Sequence, residues 1–159
     1  MAVMLIDEPH IYIDADACPV RDEVYKVADR HSVPVIVVSN SYMRVPQSSL
    51  ITQQVVSDKF DAADDYIAER AGPSSVVITA DILLAERCLK KDAIVIGPNG
   101  KAFDKQSIGG IVATRAIMND LRAGAVGENI GGPPPFGPKD RSRFLQSLHE
   151  ALVRMCQER

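Results

Sequence analysis

The sequence predicts an α/β protein in three layers, a mainly parallel sheet of about five strands sandwiched between helices. Three observations carry that expectation. Short apolar runs alternate along the chain with stretches of helical period, the order expected of βαβ units. The run Val33-Pro34-Val35-Ile36-Val37-Val38 is apolar without alternation, as in a strand covered on both faces. Acidic residues gather just beyond the apolar runs, where sheets of this kind bind ligands.

Each element follows from local chemistry. Ile11-Tyr12-Ile13 is a short β-prone run ending at Asp14. Pro19 opens a helical pattern with Val20, Val24, Val27 and Ala28 on one face. Residues 33–38 form the second strand, with Pro34 near its start where a missing N–H is tolerated. Residues 40–50 are polar and without period, hence a loop, and 51–56 are a weaker third strand. Asp61 stands where an N-cap would, before a helix over 62–71 that Gly72-Pro73 stops. Residues 76–79 are the fourth strand, and Asp81 can cap a helix over 82–90. Residues 93–96 are the fifth, closed by the turn Gly97-Pro98-Asn99-Gly100. A helix is expected over 111–123, and Phe144, Leu148, Leu152 and Met155 mark a final amphipathic one.

With 159 residues, 46% hydrophobic and 25% charged, the chain suits one folded domain over 1–159. Residues 1–10 read as an extra N-terminal segment and 127–138 as a Gly/Pro-rich loop. No apolar run approaches the roughly 20 residues of a membrane span. The first ten residues lack a basic leader and a small-residue cleavage site, so neither a signal peptide nor a membrane partner is expected. Cys18, Cys88 and Cys156 are an odd number without metal-ligand spacing, which fits reduced thiols and a cytoplasmic location.

Charge is uneven. Residues 1–81 carry six Lys/Arg against thirteen Asp/Glu, and residues 82–159 carry twelve against eight. An acidic half that could hold a cation beside a basic half that could hold phosphates suits a nuclease, although surfaces also vary by a few charges without function. The pI of about 5.6 argues against broad nucleic-acid binding driven by charge alone.

The acids are the candidate site. Asp14 and Asp16 follow the first strand, Asp81 follows the fourth, and Asp61, Asp64 and Asp65 open the helix between them. Carboxylates in this number suit a hard cation, Mg²⁺ or Mn²⁺, whereas His10, His31 and His149 are scattered and no Cys/His pair has zinc spacing. Hydrolysis of a phosphodiester needs an attacking water, charge neutralisation and help for the leaving oxygen, and carboxylate-held metal supplies these. Asp14, Asp64, Asp81 and Asp61 are the expected metal ligands, with Asp14, Asp16, Asp64 and Asp81 as the catalytic set. Asp61 and Asp81 could instead be plain caps, and one of Asp64 and Asp65 a solvated surface acid. Asp14 has little structural excuse, because it ends an apolar strand and another acid follows two residues later.

Asn40 and Arg44 would reach the same sheet edge from the second strand, and Lys139, Arg141 and Arg143 would contact phosphates from the start of the last helix. A solvated basic turn is the plainer account of the last three. Cys18 precedes a helix N-terminus, which lowers a thiol pKa, but neighbouring carboxylates oppose this and a packed thiol is expected. Aromatics are sparse and Trp is absent, so base stacking on a sheet platform is not indicated.

The segments Asp14-Ala-Asp-Ala-Cys-Pro-Val20, Asp61-Ala-Ala-Asp-Asp-Tyr-Ile67, Thr79-Ala-Asp-Ile-Leu-Leu-Ala85 and Gly137-Pro-Lys-Asp-Arg-Ser-Arg-Phe144 resemble the YaiI/YqxD family of uncharacterised bacterial proteins. More distantly, the order of elements is similar to the PIN-like nucleases, in which an acid ends the first strand, a second lies on a middle helix and a third follows a Thr-x-Asp strand end. Asp14, Asp64 and Asp81 match those positions. That likeness implies Mg²⁺- or Mn²⁺-dependent cleavage of RNA. It also implies a further acid after the next strand, where this chain offers only Asn99 or Asp104, with Asp16 as a substitute. Two other classes stay open. One is an RNA- or protein-binding module with a degenerate site, self-association included. The other is a haloacid-dehalogenase-type phosphatase, which also opens on strand-Asp-x-Asp but wants Thr or Val where Cys18 stands, and a later catalytic Lys.

Overall fold

The β-branched runs become strands where the sequence places them, with ends moved by a residue or two. The computed structural model describes residues 8–15, 18–59, 61–110, 113 and 137–157. In chain order the elements are β1 His10–Asp14, α1 Arg21–His31, β2 Val35–Ser39, β3 Ile51–Val55, α2 Ala62–Arg70, β4 Ser75–Ile78, α3 Ile82–Leu89, β5 Ile94–Ile96 and β6 Ala102–Phe103. They are followed by α4, helical over residues 105–110, and α5 Pro138–Gln157.

The strands lie in the order β3-β2-β1-β4-β5-β6. β1 to β5 are mutually parallel, and only β6 runs antiparallel, against β5. The sheet is thus mainly parallel, with one two-residue strand more than the expected five. Val33 and Pro34 fall outside β2, whose ladder starts at Val35; the Pro34 carbonyl accepts from Ile11 N at 2.9 Å.

Alternation of side chains sorts the two cores. Ile11, Ile13, Val35, Val37, Val76 and Ile78 face Val20, just before α1, Val24 and Val27 of α1, and Phe144, Leu148 and Leu152 of α5. Tyr12, Val38, Val77 and Val95 face Ala63 and Ile67 of α2, Leu84 and Cys88 of α3, and Ile108 of α4. The result is three layers, with α1 and α5 on one side and α2 to α4 on the other. Phe144, Leu148 and Leu152 are wholly buried, each worth about 1.5–3 kcal/mol, so α5 is part of the core and not an appendage.

The helix expected over 111–123 begins earlier, because Asp104 Oδ1 accepts Ser107 N at 2.8 Å and caps it. Between 111 and 136 only residue 113 is described, so the rest of that expectation, most of the 127–138 loop and the segment 1–7 lie outside the described residues. Gly100 ties α5 to the carboxyl edge. It sits at φ +87, and an added Cβ there would lie 2.6 Å from backbone atoms of Arg143 and Phe144. Its carbonyl accepts the Ser147 hydroxyl at 2.5 Å.

Candidate functional site

The strand order reverses between β1 and β4, since β1 leads through α1 to β2 on one side while β4 lies on the other. Open parallel sheets form a crevice beyond the carboxyl ends of their strands at such a point. Asp14 is the last residue of β1, and Asp81 follows β4 by three residues. Thr79, buried, joins them: its hydroxyl donates to Asp14 Oδ2 at 2.8 Å and accepts from Asp81 N at 3.0 Å. Asp81 Oδ1 in turn accepts from Leu83 N at 2.9 Å and Leu84 N at 3.2 Å, the N-cap of α3. Asp81 therefore does cap a helix, with one oxygen.

Asp61 does not. It precedes α2 in the left-handed conformation, φ 70, and its side chain makes no cap bond. Only its backbone carbonyl contributes, accepting from Asp65 N at 2.8 Å. A left-handed non-glycine residue is uncommon, and Asp is among the types that tolerate it. The Asp64/Asp65 pair divides as helix geometry requires: Asp65 turns outward to Arg87 at 2.9 Å, while Asp64 is half-buried. Burial, then the charges of Asp81, Asp14 and Asp61, push the Asp64 carboxyl up to about 6, against a smaller opposing effect of Arg87. Asp14, Asp61 and Asp81 are thus each near enough to repel Asp64. Asp16 lies outside the described residues.

A hard cation fits this donor set by type, and the repulsion at Asp64 is the kind a cation relieves. Spacing fits less well, since among the described residues no three of His, Cys, Asp and Glu are placed to hold a metal ion. A fourth acid does not come from β5. Asn99 Oδ1 accepts Lys101 N within the turn, and Asp104 is an exposed cap whose carboxyl the Ser107 N–H and hydroxyl hold below the usual range.

An acid overlooked in the sequence is Glu23. It is buried in the first turn of α1, paired with Arg141 through Oε1, and its buried Oε2 has no hydrogen-bond partner. Its signal was position: residue 23 falls on the apolar stripe marked by Val20, Val24 and Val27. Thr79 was legible only as part of Thr-x-Asp. Burial pushes the Cys18 thiol up to about 11, with Asp14 and Glu23 adding to the effect of desolvation, so the packed thiol is what stands there.

The basic residues are placed unequally. Arg141 is engaged by Glu23, while Lys139 and Arg143 are exposed in the first turns of α5. Asn40 is exposed just past β2, at the same edge as Asp14. Arg44 lies further along the loop to β3, beside Tyr42 and Pro46 on a cavity of about 560 Å³, and no ion pair joins it to the acids among the described residues. The histidines are less scattered than the sequence suggests: His31 Nε2 and His149 Nδ1 lie 3.1 Å apart. No helix among the described residues is long and apolar enough to cross a membrane.

Residues 12–154 match a family model described as "Uncharacterized BCR, YaiI/YqxD family". The chain is 63% identical over 147 residues to a "UPF0178 protein" of Sphingopyxis alaskensis, covering 92% of this chain and 95% of that one. It is 56% identical over 145 residues to a "UPF0178 protein" of Nitrobacter winogradskyi, covering 91% of each. No solved structure matches it.

Proposed function

Because the chain belongs to the YaiI/YqxD family and carries acids at the switch point of its sheet, we propose that it is a divalent-metal-dependent nuclease that hydrolyses phosphodiester bonds in RNA. The observation that carries this reading is the Thr79 bridge, which holds Asp14 and the Asp81 backbone together at the ends of β1 and β4, with Asp64 electrostatically coupled to both. Asp14, Asp64 and Asp81 would hold Mg²⁺ or Mn²⁺, with Asp61 and Asp16 assisting. When bound, the metal would activate water and neutralise charge on the phosphoryl oxygens. Asp14 and Asp81 keep their positions through Thr79 and the α3 cap, so their carboxylates are oriented before any ligand arrives. Lys139 and Arg143, exposed on α5, the latter beside Gly100, would meet backbone phosphates, and Asn40 would line the approach from β2. Three free cysteines, two of them buried, suit the cytoplasm.

Mn²⁺ titrated calorimetrically into the parent, Asp14→Asn and Asp81→Asn proteins tests this, together with cleavage of labelled RNA with and without chelator. Saturable binding lost in both variants, and cleavage that needs the metal, are expected. Metal-independent cleavage, or Mn²⁺ binding indifferent to both substitutions, would sink the reading.

A second reading is a non-catalytic module that binds RNA or a protein partner. It is favoured by the absence of a three-ligand cluster among the described residues and by the use of Asp81 Oδ1 as a cap. Retained RNA binding with no turnover at any metal concentration would select it.

A further inference from the structure

The α1/α5 layer holds a second constellation, remote from the strand-end acids in chemistry. α1 and α5 pack in parallel. Arg141 reaches Glu23 in their first turns, and eight residues further along each helix His149 meets His31. Eight residues of helix span about 12 Å. Between these two ties opens a cavity of about 480 Å³. Lys26 and Arg30, one turn apart on α1, line one wall; Ser142 and His149 line the other, with Leu145 as an apolar patch.

The charge around it is one-sided. Lys26 and Arg30 are exposed and make no salt bridge among the described residues. Glu23 is committed to Arg141, and Asp29 lines a neighbouring cavity with Tyr25 and Ser48, which Lys26 borders as well. Gln146 also lines the cavity but donates an amide N–H to Glu150 at 2.7 Å, which engages that donor. His149 shares Nδ1 with His31, which leaves Nε2 as its other ring nitrogen. No lining residue is acidic. Two permanent cations, a hydroxyl and an imidazole around one concavity match a group with a double charge and several acceptor oxygens. The volume falls in the range of small-molecule sites and exceeds what a bare anion needs.

We infer that the α1–α5 cavity is an anion site that takes the phosphate of a nucleotide-sized phosphoester, either free or as one unit of a nucleic-acid strand. Lys26 and Arg30 supply the charge, and Ser142 and His149 supply directed hydrogen bonds. The site is independent of the metal reading, because none of its residues belongs to the acidic set.

The test is calorimetric titration of adenosine monophosphate and of a short single-stranded RNA into the parent, Lys26→Gln, Arg30→Gln and doubly substituted proteins, without divalent metal. Lys90→Gln, at an exposed cation outside both sites, serves as the control. Both cations are exposed, so circular dichroism should show the variants folded. Saturable binding of either probe is expected, weakened about tenfold by each substitution and unchanged in Lys90→Gln. Equal affinity for the two probes would identify a free phosphoester, and tighter binding of the RNA a strand. Absence of saturable binding by both probes, or binding undiminished in the double variant, would overturn the inference.

Discussion

Thr79 serves Asp14 and Asp81 with one hydroxyl, donating to the carboxylate of the first and accepting from the backbone of the second. Each of these groups is polar and at least partly buried, so the hydroxyl satisfies two demands that a methyl could not. Thr79→Val keeps the shape and removes both bonds. A loss of about 1–3 kcal/mol in urea unfolding is expected, with Thr79→Ser recovering most of it. An unchanged midpoint in the valine variant would show the hydroxyl idle.

Asp64 makes stability depend on pH. Its folded-state value of about 6 exceeds the ordinary 3.8, so between these limits the native state binds more protons than the unfolded one. The contribution is present in full below pH 3.8 and is lost as pH rises through about 6. Asp64→Asn should therefore be more stable than the parent at pH 8, by about 1 kcal/mol given water screening at this half-exposed group, and should converge with it near pH 4. Thermal melts across that range check the sign.

Removing Arg141 would strand the Glu23 carboxylate in a buried position with neither oxygen paired by that guanidinium. Arg141→Gln is expected to cost about 1–3 kcal/mol, and adding Glu23→Gln should restore part of it, because a neutral amide is cheaper to bury. A double-mutant cycle without coupling would count against the pair.

The thiols should separate by reactivity. Cys18 and Cys88 are buried and pushed up to about 11, whereas Cys156 is exposed. At neutral pH a thiol reagent should modify Cys156 quickly and the other two only on unfolding, which peptide mapping after timed alkylation would reveal.

Gly100→Ala places a methyl 2.6 Å from the α5 backbone at a φ that disfavours side chains. A loss of at least about 2 kcal/mol is expected, read as a lowered melting temperature, because neither the helix nor the turn can yield cheaply.

Most of the fold was legible because apolar runs and helix stripes are local signals. Val33-Pro34 misled by a residue or two, since composition does not reveal where a ladder starts. β6 escaped notice, being two residues paired only through the turn before it. The order of strands has no local signature, yet it decides that Asp14 and Asp81 meet. Among the acids, position in sequence gave the neighbourhood but not the roles. Asp61 looked like a cap and is not one, while Asp81 caps and also faces the site. Glu23 was hidden among valines, since its place on an apolar stripe reads as an interruption until the partner from residue 141 is known.

The parallel seating of α1 and α5 joins partners 118 residues apart in sequence, at Glu23–Arg141 and again at His31–His149. In chain order the first five strands and α1 precede Phe144, Leu148 and Leu152, so the part of the apolar face that α1 leaves bare stays open until α5 docks. A chain cut before residue 144 would expose that surface and is expected to aggregate.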